Sequence, residues 1–107
     1  MRYIVATSEF DASHQDPDES PHRHGHHYIV EVWERTEIRS DLLGDLRSVL
    51  DELHLRDLDE MLNGGSSSGP GIASWIMERL LINHPKIERV EVSWGWGQRY
   101  GVTREVR

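Results

Sequence analysis

Apolar positions recur at helical spacing in the middle of this chain and at a two-residue period toward both ends. Leu42, Leu43, Leu46, Val49, Leu50 and Leu53 share one helical face, with Ser40 placed to cap the start. Asp41, Asp45, Arg47, Asp51 and Glu52 fill the other faces, as on a solvated helix surface. This helix decays around His54-Leu55-Arg56. Asn63 to Gly69 reads as a flexible linker, too short to separate domains. A second helix is predicted from Pro70, a favoured first-turn residue, with Ile72, Ala73, Ile76 and Leu80 as its buried stripe. Asn83-His84-Pro85 stops it.

The flanks read as strands. Residues 2–12 and 25–36 are rich in β-branched and aromatic side chains, separated by a loop from Gln15 to Arg23 that carries Pro17 and Pro21. Near the other end Val90, Val92, Trp94 and Trp96 alternate with Glu91, Ser93 and Gly95. Gly97-Gln98 turns the chain, and Arg99 to Val106 makes a last strand. The order β-β-α-α-β-β predicts an α+β domain over residues 1–107, an antiparallel sheet covered on one face by two helices. Such a sheet keeps open edges, a liability unless neighbouring subunits pair with them.

Composition narrows the function classes. At 107 residues the chain is one domain, and 36% hydrophobic content with four tryptophans suits a small core completed by association, so a homo-oligomer is expected. The mean hydropathy is −0.63. There is no cysteine, which excludes disulfides and thiolate chemistry. A formal charge of −7 offers no basic stripe for phosphates, so no nucleic-acid partner is expected. No apolar stretch approaches the ~20 residues of a membrane span, and the N-terminus lacks a signal-peptide pattern. The expected compartment is the cytoplasm, with no membrane partner.

The chemistry concentrates in histidine. Five of the seven lie between His14 and His27. In a strand, His24 and His26 project to one face, and Gly25 between them permits close approach. If the strand ending at His14 pairs with theirs, three imidazoles converge, and three histidines with an open fourth position form a catalytic zinc arrangement. The alternative reading of a His-rich loop is a solvated segment or an adventitious metal trap.

Phe10-Asp-Ala-Ser-His14, His24-Gly-His26 leading into a strand, and the element order resemble the 6-pyruvoyltetrahydropterin synthase / 6-carboxytetrahydropterin synthase family. Arg56-Asp-Leu-Asp-Glu-Met-Leu62 and Ile72-Ala-Ser-Trp-Ile76 are similar to its helical segments. The resemblance implies the T-fold, whose sheets join between subunits into barrels, often hexamers built of two trimers. It also implies that His14, His24 and His26 bind Zn2+.

The departures from the family pattern are specific. Its catalytic cysteine, four residues before His-Gly-His, falls on Ser20, whose hydroxyl cannot act as a ready thiolate. Its Asp-His relay falls on His54 and Leu55. Its Pro-Thr-x-Glu segment reads Ser67-Ser68-Gly69-Pro70, and its pterin-anchoring glutamate falls on Trp94. A carboxylate accepting two parallel hydrogen bonds selects an amino-pyrimidine edge, whereas Trp94 offers an apolar face and a single N–H. The substrate is therefore expected to be a small molecule other than a standard pterin.

These readings predict a zinc-dependent lyase or cyclase. His54 is the candidate general acid/base, against the plainer reading of a solvated helix-end histidine, and Ser20 is a candidate contact at the catalytic position. Trp94, His22 and Ser68 are candidate substrate contacts. Trp96 is a second wall or a subunit contact, and His27 should point away from the metal face. Asp16, Asp18 and Glu19 read as solvated loop acids, one of which could serve across a subunit boundary. Two alternatives stand beside the lyase: a 6-carboxytetrahydropterin synthase homologue with a rewired relay, and a non-catalytic, zinc-stabilised oligomeric binding protein.

Overall fold

The computed structural model describes residues 2–15, 22–36, 38–63, 65–95 and 97–106. Four strands form one antiparallel sheet in the order β1-β2-β3-β4: β1 Tyr3–His14, β2 His24–Arg35, β3 Ile87–Ser93 and β4 Arg99–Thr103. Helices α1 Leu42–Leu53 and α3 Gly69–Leu81 cover one face, as the periodicity predicted. A short helix, α2 Leu58–Met61, adds to the expected order. Four residues are too few for a period to register, and α2 starts because the Asp57 carboxylate accepts from the Asp59 amide. No helix among the described residues is long and apolar enough to cross a membrane.

Alternation decides which side chains meet the helices. Ala6, Phe10, Ala12 and His14 of β1 and Tyr28, Val30, Val32 and Glu34 of β2 are buried. The apolar ones among them form one core with Leu42, Leu46, Leu50 and Leu53 of α1 and Ile72, Ala73, Ile76 and Leu80 of α3. The opposite sheet face stays uncovered and presents Tyr3, Val5 and Ile29 beside charged residues.

Several boundaries differ from the sequence reading. The α1 cap is Asp41, which accepts from the Gly44 amide at 3.3 Å, while the Ser40 hydroxyl donates to Glu34. Strand β3 ends at Ser93, because Gly95 and Gly97 take positive φ values of 71° and 90° and turn the chain just beyond Trp94. Strand β4 stops at Thr103 rather than Val106. The serine-rich segment is an anchored turn instead of a flexible linker: Ser67 is buried, and Ser68 caps α3 by accepting from the Gly71 amide.

The segment after α1 crosses the edge of β1. Leu55 N–H donates to the Asp11 carbonyl, and Ser13 N–H donates to the Arg56 carbonyl. A parallel bridge between Ser13 and Asp57 completes the cover.

Candidate metal centre

The register of β1 against β2 builds the site. His14 pairs with His24 and Ala12 with His26, so the three imidazoles share the helix-covered face at one end of the sheet. Their ligand nitrogens all lie within 4.8 Å of one another. His14 is fully buried, and His24 and His26 are half-buried.

Hydrogen bonds to the backbone settle the tautomers of two of them. Nδ1 of His14 lies 2.8 Å from the Ser67 carbonyl, and Nδ1 of His24 lies 2.7 Å from the His22 carbonyl. A carbonyl oxygen only accepts, so each Nδ1 carries the proton and each Nε2 of the neutral ring presents a lone pair. Those two Nε2 atoms face each other at 3.0 Å. Two lone pairs so placed repel unless a cation lies between them. Ligand nitrogens on one tetrahedral zinc stand roughly 3.3 Å apart, given zinc–nitrogen distances of about 2.0–2.1 Å. The donor set, three imidazoles with Nδ1–H anchored behind two of them, therefore fits zinc.

An aromatic wall backs the cluster. The Trp94 ring lies 5.4 Å from that of His26 and 5.8 Å from that of His14, and stacks on Tyr100 at 5.1 Å. Tyr28 meets His14, His26 and Trp94 edge-on. Tyr100 in turn rests on α3 at Gly69, where a Cβ would overlap its ring.

A polar layer backs the other side. The Ser67 hydroxyl donates to Asp59 Oδ1 at 2.6 Å, while Asp59 Oδ2 accepts from the Gln15 amide at 2.9 Å. Arg23 reaches Asp59 Oδ2 at 3.4 Å and also pairs with Asp57. Burial pushes the Asp59 carboxyl up, but the Ser67 and Gln15 hydrogen bonds and the charge of Arg23 outweigh it, and its pKa lies below the ordinary value.

Of the residues singled out in the sequence, the structure brings His14, His24, His26 and Trp94 together. His22 is exposed and contributes its carbonyl to His24. Ser68 lies next to Ser67, with its hydroxyl engaged at the helix cap and by Ser66. His54 is exposed at the edge of β1, where its Nδ1 accepts from the Asp11 amide at 3.1 Å. Asp11 precedes His14 by three residues, roughly 10 Å along the strand. His27 points to the uncovered face as expected, between Asp11 and Glu9, whose hydrogen bonds raise its pKa. Ser20, Trp96, Asp16, Asp18 and Glu19 lie outside the described residues.

Sequence reasoning passed over Asp59, Ser67, Arg23, Tyr28 and Tyr100. For Asp59 a signal existed: a carboxylate in the short Asp57-Leu58-Asp59 run, spaced to cap a helix and still offer an oxygen outward. For Ser67 the signal was its place in the segment aligned with the family's Pro-Thr-x-Glu.

No family model matches the chain, and no curated protein matches it. Among solved structures, that of Caenorhabditis elegans 6-pyruvoyl tetrahydropterin synthase superposes with a TM-score of 0.80 at 19% sequence identity. The match covers 97% of this chain and 96% of that one. The fold expected of the single chain is therefore the observed one: this chain has the T-fold seen in 6-pyruvoyl tetrahydropterin synthase.

Proposed function

We propose that this T-fold chain is a zinc-dependent, lyase- or cyclase-type enzyme for a small molecule other than a standard pterin, with His14, His24 and His26 as the metal ligands. The observation that carries the reading is the convergence of the His14 and His24 Nε2 lone pairs, each fixed by an Nδ1–H···O=C bond behind it. Three protein ligands leave a position for substrate, which favours catalysis over a closed structural site. When bound, zinc polarises a carbonyl or hydroxyl oxygen and lowers the pKa of an attached proton.

The chain's own residues supply the surroundings. Ser67 and the His22 carbonyl hold two ligand rings in one tautomer. Trp94 and Tyr28 exclude water from one side and give the pocket an apolar wall. At the position where the family carries a carboxylate, the Trp94 indole has one N–H and no acceptor, so an amino-pyrimidine edge would leave its donors unpaired. His22 and Ser68 are the candidate polar contacts for substrate, with Ser20 at the position of the lost cysteine.

His54 is the candidate acid/base. Because its Nδ1 accepts from Asp11, the neutral ring holds its proton on Nε2. Its place at the sheet edge suits action on a neighbouring subunit's site better than on its own. Association into a homo-oligomer, a hexamer of two trimers by analogy with the family, agrees with the apolar exposure of Tyr3, Val5 and Ile29 on the uncovered face.

Elemental analysis of protein purified without chelator, wild type and His24→Ala, tests the metal assignment, with light scattering for the oligomer. About one zinc per chain, lost in the variant while the assembly persists, is the expected result. Stoichiometric zinc retained by His24→Ala, or none in wild type, would sink the reading.

A further inference from the structure

We infer that Asp59 is the positioning residue of the metal centre, a single carboxylate that fixes the chain beside two of the three histidines and braces the group behind one of them. The inference rests on the zinc reading above and adds a residue outside the ligand set. Three contacts meet at this side chain. Oδ2 accepts the amide of Gln15, the residue that follows His14. The same oxygen takes the guanidinium of Arg23, the residue that precedes His24. Oδ1 accepts the hydroxyl of Ser67, whose carbonyl receives the Nδ1–H of His14.

The geometry makes this more than a surface ion pair. Ser67 is only 5% exposed, and its backbone comes from the turn that starts α3, far from β1 in sequence. Nothing in the strand register alone would hold the Ser67 carbonyl against His14. The Asp59–Ser67 bond at 2.6 Å does so, with a longer contact of the same hydroxyl to the Gln15 carbonyl at 3.5 Å, because α2 is itself pinned beside β1 through the Ser13–Asp57 bridge. Arg23 engages Asp57 as well as Asp59, so the N-terminal end of α2 and the entry to β2 are fastened together. Through these bonds Asp59 fixes the tautomer of His14 and the spacing of His14 and His24, without touching the metal. Partners of this kind behind ligand histidines typically contribute 10–100-fold in metal affinity.

The test is the zinc dissociation constant of the full chain, measured by competition with a chromogenic chelator, for wild type, Asp59→Asn and Ser67→Ala. Glu60→Gln, an exposed neighbour on the same helix, serves as control. Asp59→Asn is expected to bind zinc about 10–100-fold more weakly, Ser67→Ala to move the same way, and Glu60→Gln to match wild type. Long-range proton–nitrogen NMR of the zinc-free protein supplies a readout that a general loss of stability would not move. His14 should populate the Nδ1–H tautomer in wild type and a mixture in Asp59→Asn. Wild-type affinity and an unchanged His14 tautomer in both variants would overturn the role of Asp59 and leave the zinc reading standing. Absence of zinc binding by wild type would overturn both. Should Asp59→Asn fail to fold, Ser67→Ala alone decides, since it deletes one hydroxyl.

Discussion

His14 and His24 meet edge to face, their ring planes 76° apart and their Nε2 atoms separated by 3.0 Å. With a proton on each Nδ1, the two Nε2 atoms of the neutral rings present lone pairs that one cation can share. Zinc is therefore expected to stabilise the fold itself. At free zinc 100 times the dissociation constant, linkage gives about 2.7 kcal/mol. For a domain of this size that is a rise in Tm of roughly 10–20 °C. Thermal melts with zinc, then with excess EDTA, check the rise and its reversal. A Tm indifferent to zinc would contradict the site.

A second buried histidine works at the far end of the same sheet face. His84 Nδ1 lies 2.7 Å from Glu34 Oε2, and its Nε2 lies 2.6 Å from Asp45 Oδ2. Burial lowers the pKa of His84, but the hydrogen bonds to Asp45 and Glu34 and their charges prevail and raise it above the ordinary 6.5. The stabilisation is thus complete below about pH 6.5 and is lost as pH rises through the higher folded-state value. Denaturant unfolding across this window should show wild-type stability falling relative to His84→Gln. The relative slope is at most about 1.4 kcal/mol per pH unit.

The same cluster predicts a large cost of truncation. His84→Ala leaves the Glu34 carboxylate, 4% exposed, without its cationic partner. Breaking one side of a buried pair costs about 3–5 kcal/mol. Paired substitution of both His84 and Glu34 by apolar residues should recover much of that loss, which equilibrium unfolding of the three variants measures.

Gly69→Ala should disturb the aromatic wall. The added Cβ overlaps the Tyr100 ring, which stacks on Trp94, which lies against His26. Overpacking of this kind costs about 1–3 kcal/mol. Zinc affinity and tryptophan emission should shift together in this variant, and an emission spectrum unchanged from wild type would exclude the relay of contact.

Leu55 takes a left-handed φ of 59° with its side chain exposed. That conformation costs an L-residue roughly 1–2 kcal/mol, while glycine adopts it freely but gives up more unfolded-state entropy. Leu55→Gly is expected to gain about 0.5–1 kcal/mol in denaturant unfolding, the difference of those two effects.

The sheet, the two long helices and the histidine convergence were legible because each rests on a period. Ala12 and His14 on one strand, and His24 and His26 on the next, needed only alternation and pairing to meet. The supports were not legible. Ser67 sits in a run whose composition suggests a linker, yet it is buried and bonded to Asp59, which no spacing rule ties to it. His84 and Glu34 are 50 residues apart and carry no local mark of their bond. His54 read as a candidate acid/base or a solvated helix-end histidine, and only the fold reveals that its Nδ1 receives the Asp11 amide. Periodicity reports which face a residue occupies, whereas hydrogen bonds between segments depend on how those faces are brought together.

The cover laid by Leu55, Arg56 and Asp57 over Asp11 and Ser13 has a consequence for sheet growth. It occupies the outer rim of β1 only toward His14. A foreign strand could ladder onto β1 along Tyr3 to Glu9 but would collide with this cover farther on. Any continuation of the sheet across that rim must therefore be staggered toward the N-terminal end of β1. The metal end would project past the seam, facing whatever the adjoining chain places there.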